Sequence, residues 1–271
     1  MEWGKGFSWA WEDWPSLEAH LPYIAAAGFT AIEPTFGVGI LRPDSGTAAG
    51  ELLARAQAHN LAVPSFRGGR FFWETVSSPD PAAREAGLEY GRRALDALAT
   101  AGGSLLLAVP GRKRPDVPYE EHWELAREFL VRLGDEAAAR GLEVGVENVE
   151  CGFPLSVRDW KEFLGCIDHP AVGMYFDAGN VIRLDYGYPE QWIPSLASFI
   201  RRIHVKGAMR GKMPCVPLPE SDVDWTAVMR AVRGIGYSGW IIVEPDRVDT
   251  HDSPNYFKSL ADAMEEIFHL R

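Results

Sequence analysis

Four apolar runs in the second half of this 271-residue chain, at residues 142–148, 172–177, 201–207 and 240–246, each carry polar residues of one parity, and this repetition constrains the fold most. Side chains alternate between the two faces of a strand. Val144 and Val146 oppose Glu147, Met174 and Phe176 oppose Asp177, Ile203 and Val205 oppose Arg202, His204 and Lys206, and Ile241 and Val243 oppose Glu244. With the apolar sets against covering helices, Glu147, Asp177, His204 and Glu244 face inward together at the C-terminal ends of four consecutive strands. A histidine and a lysine on one buried strand face are costly unless something there uses them.

The first half supplies the matching number of elements. Strands are expected at 6–9, 29–36, 61–66 and 104–109. Asp13-Trp14-Pro15 opens a helix over 17–27 that stops at Gly28, and further helices are expected at 46–59, 81–101 and 118–140, the last two closed by Gly102-Gly103 and Gly141. Ser156 to Asp159 reads as a capping box for a helix reaching Cys166, Pro189 begins another, residues 221–224 cap one ending near Arg233, and a last helix covers 255–270. Eight strands alternating with eight helices predict an α/β fold, a single-domain (β/α)8 TIM barrel spanning 1–271. In such barrels chemistry sits at the C-terminal strand ends. The loop at 67–73, with Arg67, Phe71 and Trp73, either lines a pocket or is packed down by its own aromatics.

Composition excludes several functions. A net charge of -11 argues against nucleic acid or anionic membrane as partners, since both need a basic face. Arg112-Lys113-Arg114 reads as a solvated loop. Cys151, Cys166 and Cys215 have neither CxxC nor metal spacing and suit packing in a reducing compartment. Residues 1–6 lack a charged-then-apolar leader, and no apolar run approaches the roughly 18 residues of a membrane span. A cytoplasmic protein is expected.

Three carboxylates and one imidazole suit a divalent cation such as Mn²⁺, Mg²⁺ or Co²⁺ better than a thiolate-type zinc site. Without a cation, three clustered carboxylates would repel one another and raise at least one pKa.

These residues carry a resemblance. Glu147-Asn148, Asp177-Ala178-Gly179-Asn180, Ile203-His204-Val205-Lys206, Asp222-Val223-Asp224-Trp225 and the stretch from Gly236 to Glu244 resemble the sugar phosphate isomerase/epimerase superfamily of xylose isomerase-like TIM barrels. The resemblance implies one divalent metal ion, Mn²⁺ first and Mg²⁺, Co²⁺ or Zn²⁺ as alternatives, held by Glu147, Asp177, His204 and Glu244. It implies that Glu147 and Glu244 act as base and acid on a small sugar or sugar phosphate, through an enediolate formed by loss of the proton next to a carbonyl. Opposite-face proton return gives epimerisation, and return to the neighbouring carbon gives isomerisation. An inosose-type dehydratase is an alternative on the same scaffold. An endonuclease IV-like nuclease would need a richer ligand set than seven histidines and an acidic chain provide. Homo-oligomers are common in the superfamily.

Substrate contacts are expected from Arg210, which matches a substrate-contacting arginine of the ketose 3-epimerases. Asn180, which stands where that branch has a histidine, is also expected to contact substrate, and Phe153 stands where the branch has a second glutamate. Lys206 either holds a substrate oxygen or phosphate or forms a salt bridge. Glu33 either binds a hydroxyl or supports a ligand. Arg67 belongs to the expected pocket loop. Trp9, Trp11, Phe36, Phe71 and Trp73 either wall a sugar's C–H face or pack the core.

Overall fold

Eight parallel strands form where the alternation places them: β1 (Gly4–Trp9), β2 (Ala31–Pro34), β3 (Ser65–Arg67), β4 (Leu105–Ala108), β5 (Glu143–Glu147), β6 (Val172–Asp177), β7 (Ile200–Val205) and β8 (Trp240–Val243). The computed structural model describes residues 3–213, 215–245 and 253–270, so Met1 and Glu2 of the expected non-leader and Asp246 of the last apolar run lie outside the described residues. The strands hydrogen-bond in the order β2-β1-β8-β7-β6-β5-β4-β3. Backbone bridges from Ala31 to Ala62 and from Thr35 to Arg67 join the two ends, closing a (β/α)8 barrel. This seam is the least regular of the joints because Pro64 has no N–H to donate, so β3 is three residues long where six were expected.

Ten α-helices and one 3₁₀ turn (Leu218–Glu220) lie among the described residues: α1 (Trp14–Ala26), α2 (Ala48–Gln57), α3 (Phe71–Thr75), α4 (Pro81–Thr100), α5 (Tyr119–Ala138), α6 (Val157–Ile167), α7 (Ala178–Arg183), α8 (Pro189–Ser195), α9 (Trp225–Gly234) and α10 (Ser253–His269). Ser156 caps α6, its Oγ accepting the Asp159 N–H at 3.2 Å, while the Asp159 carboxylate reaches back one residue beyond the cap that a capping box would engage and accepts the Leu155 N–H at 3.2 Å. Two short helices were not expected. In α3, Phe72 is buried while Phe71 is 43% exposed, so the aromatic loop is partly packed by its own side chains. In α7, the carboxylate that ends β6 doubles as a helix cap, Asp177 Oδ1 accepting the Asn180 N–H at 2.8 Å.

The apolar parity of the last four strands, Val144, Val146, Met174, Phe176, Ile203, Val205, Ile241 and Val243, is buried under the helices, each worth roughly 1.5–3 kcal/mol of transfer free energy. The opposite parity fills the barrel. Gly145 leaves room there: a Cβ at that position would stand 3.0 Å from a Leu105 methyl and 3.2 Å from Tyr175. Among the described residues no helix is long and apolar enough to cross a membrane. Of the three cysteines, Cys151 is buried, Cys215 half-buried and Cys166 exposed.

Candidate metal centre

Parity brings Glu147 from β5, Asp177 from β6, His204 from β7 and Glu244, one residue past β8, to the C-terminal mouth. One donor atom from each lies within 4.8 Å of the others. Asp177 pairs with His204 in strand register. His204 presents Nδ1 to the group, 3.5 Å from Glu147 Oε1, 3.8 Å from Glu244 Oε2 and 4.0 Å from Asp177 Oδ2. His204 and Asp177 are fully buried.

Beneath the mouth, the other ring nitrogen is engaged. His204 Nε2 stands 2.7 Å from Glu33 Oε2, which also accepts the Ser8 hydroxyl at 2.8 Å. Glu33 Oε1 accepts the Ser65 and Tyr175 hydroxyls, both at 2.5 Å. The Tyr175 ring lies over the imidazole at 4.2 Å between centroids. Burial opposes the charged forms of both groups, yet the Glu33–His204 pairing wins: the carboxylate is held at about 2 and the imidazole is pushed up to about 10.

Two cations crowd Glu244. Arg67 Nη1 pairs with Oε1 and Lys206 Nζ with Oε2, and Lys206 Nζ also stands 3.0 Å from Asp177 Oδ2. That Asp177 oxygen is buried and has no donor in hydrogen-bond geometry. Burial would raise the Glu244 carboxyl, but Lys206, Arg67 and His204 hold it well below the usual carboxylate range. Glu147 moves the other way: burial and the charge of Glu244 push it up, against the pull of His204 and Lys206. The donor set therefore fits a divalent ion, whose charge would take the place of the Nδ1 proton: three carboxylates and the Nδ1 side of the His204 ring converge, one oxygen lacks a hydrogen-bond donor, and the space between two of the carboxylates already attracts an ammonium.

Asn180 is buried beside the group, its Nδ2 donating to Glu147 Oε1 at 3.2 Å while its Oδ1 has no partner. Asn148 was expected only as part of a motif; its side chain accepts the Asp177 N–H and donates to the Asp177 carbonyl, both at 2.8 Å, tying the ends of β5 and β6 together. Gly179 permits the close fit of α7, since a Cβ there would fall 2.4 Å from Lys206 Cγ.

Glu33 is not at the mouth but under His204, with all four of its donors inside the barrel. Arg210 pairs with Asp185 Oδ1 at 2.7 Å and covers the Tyr188 ring at the rim. Trp9 follows inward-facing Ser8 and packs half-buried against the apolar cluster, and Trp11 and Phe36 are core residues. Trp73 is half-buried under the Arg112 guanidinium, whose loop 112–114 is exposed. Ser8, Ser65 and Tyr175 were missed. Tyr175 shares the parity of Asp177 two residues on, a usable signal; nothing in sequence separates the two serines from ordinary strand residues.

The fold and this cluster define a closed (β/α)8 barrel with a candidate metal centre at its C-terminal mouth. The chain belongs to the xylose isomerase-like TIM barrel family, which it matches over residues 21–267. A ketose 3-epimerase of Arthrobacter globiformis is 27% identical over 177 residues, 62% of this chain and 58% of that protein. A protein of Escherichia coli (strain K12) provisionally named L-ribulose-5-phosphate 3-epimerase is 28% identical over 139 residues, 48% of each chain. The matches thus span about half to three fifths of these curated relatives' lengths. Among solved structures, an L-ribulose 3-epimerase superposes with a TM-score of 0.84 at 18% identity, covering 98% of this chain and 95% of the other. A D-psicose 3-epimerase from Clostridium cellulolyticum H10 gives 0.78 at 16% identity, covering 98% and 99%. At such identities these structures establish the shared fold.

Proposed function

We propose that this protein is a divalent-metal-dependent epimerase or isomerase of a small sugar or sugar phosphate, with Mn²⁺ the first candidate ion. The observation that carries the reading is the convergence of Glu147, Asp177, His204 Nδ1 and Glu244 at the barrel mouth. The sequence relatives named as 3-epimerases support it. An ion bound by these four residues would supply Lewis acidity toward a substrate carbonyl and its neighbouring hydroxyl.

The chain's own residues have the following roles in this reading. Glu147 and Glu244 exchange the proton next to the carbonyl. They come from strands separated by β6 and β7, so they reach the substrate from different sides of the mouth. Asn180 Oδ1, buried and without a donor, accepts a substrate hydroxyl. Lys206 and Arg67 hold Glu244 from two sides, and in this reading they also meet substrate oxygens. A small-molecule substrate agrees with the net charge of -11, which disfavours a phosphate backbone as partner.

The test is proton exchange in D₂O, followed by NMR over a panel of ketoses, ketose phosphates and an inosose, with Mn²⁺ or with chelator. The reading expects metal-dependent deuterium entry at a carbon beside a carbonyl, with return of an epimer or isomer. An unsaturated diketone product would favour dehydration. Exchange unaffected by chelator or by Glu244→Gln would contradict the reading.

A further inference from the structure

Histidine offers a metal two nitrogens, and the hydrogen bond made by one decides which remains for the ion. In this barrel that choice is built from five strands. Glu33 of β2 is 0% exposed and receives Ser8 from β1, Ser65 from β3, Tyr175 from β6 and His204 from β7. An ionised carboxylate only accepts, so the proton on the 2.7 Å contact belongs to His204 Nε2. Nδ1 is then the nitrogen turned toward Glu147, Asp177 and Glu244.

Resting on the metal site proposed above, we propose that Glu33 is a positioning residue that fixes the tautomer and ring orientation of His204, aiming Nδ1 at the ion. A half-turn of the ring about its Cβ–Cγ bond would bring a C–H to Glu33 and leave a buried carboxylate oxygen short of a donor. The Tyr175 ring over the imidazole, with its hydroxyl on the same carboxylate, blocks intermediate tilts. Glu33 thus reaches the chemistry without touching substrate. The serines and the tyrosine hold Glu33 in turn, so the first strands set the direction of a ligand carried by the seventh.

The test uses calorimetric titration with Mn²⁺ alone on the wild type, Glu33→Gln and Ser65→Ala, together with long-range ¹H–¹⁵N NMR of the His204 ring in Zn²⁺-loaded wild type. The glutamine keeps the shape, and the three hydroxyls can turn to suit an amide. Glu33→Gln is expected to weaken Mn²⁺ about 10–100-fold, the range for losing such an outer partner. Ser65→Ala, which removes a bond to the same carboxylate but leaves the His204 contact, is expected to weaken it less. The NMR spectrum is expected to show the Nε2–H tautomer, and it decides alone if Glu33→Gln fails to fold. Wild-type Mn²⁺ affinity in Glu33→Gln, or an Nδ1–H tautomer, would overturn this inference and leave the metal site standing. Absence of Mn²⁺ binding by the wild type would overturn both.

Discussion

The two halves of the barrel do different work with the same inward parity. Strands β5 to β8 end in Glu147, Asp177, His204 and Glu244, which converge on one point. Strands β1 to β3 carry Glu33 and Arg67, which contact His204 from below and Glu244 from the side, and Ser8 and Ser65, which hold Glu33. In the proposed reading the late strands present donors to an ion, and the early strands set the direction and charge of those donors. The difference teaches that a polar residue inside a barrel is read by its depth: at the strand end it meets ligand, and one layer down it meets another side chain.

This contrast orders the expected effects of substitution. Asp177→Asn should be among the most damaging, because it removes an anionic ligand and leaves Lys206 with one carboxylate fewer. Mn²⁺ affinity is expected to fall more than about 100-fold by calorimetry, beyond the range for outer partners. A smaller loss than in Glu33→Gln would invert the comparison. Lys206→Met should act in the opposite direction. Its ammonium contacts both Asp177 and Glu244, so removing it is expected to tighten Mn²⁺ by about tenfold, the scale of one charge a few ångströms away in a partly solvated site. Weaker binding would mean that Lys206 supports the ion instead of competing with it.

A third prediction separates support of the fold from support of the site. His122 is buried, and its Nε2 accepts the Arg114 N–H at 2.8 Å. Burial lowers its pKa below 6.5. Both folded and unfolded states are neutral there at high pH. As pH falls through 6.5 the unfolded chain takes the proton first, so stability declines, by at most about 1.4 kcal/mol per pH unit from this residue. His122→Gln, which keeps an acceptor, should flatten the decline in urea midpoint between pH 7.5 and 5.5 while leaving Mn²⁺ affinity unchanged. Equal slopes in the two proteins would refute the assignment. Arg210→Ala should have the smallest effect, within about 0.5 kcal/mol of stability and with little change in KM, because its guanidinium is occupied by a rim pair with Asp185. A large rise in KM would show that Arg210 leaves Asp185 for the substrate.

Much of this was legible in the chain because parity and strand-end position are local properties. The barrel follows from alternation, and the four candidate ligands follow from polar residues that end or interrupt apolar runs. Asp177 shows the limit: its role as a cap for α7 depends on how sharply the chain turns after β6, so the sequence alone predicts no helix there. Glu33 shows another. From sequence it either binds a hydroxyl or supports a ligand, and the choice turns on its depth, which depends on the stagger between β2 and β7, strands that are not neighbours in the sheet. Arg210 was assigned from resemblance to a motif, while its observed pairing depends on Asp185 and Gly187 in a different loop.

The most direct test of the account is anomalous diffraction at the manganese edge from a Mn²⁺-soaked crystal. One peak is expected, bonded to Glu147, Asp177, Glu244 and Nδ1 of His204, with Nε2 still on Glu33. A peak away from these four residues, or an ion held through His204 Nε2 with Glu33 released, would contradict it.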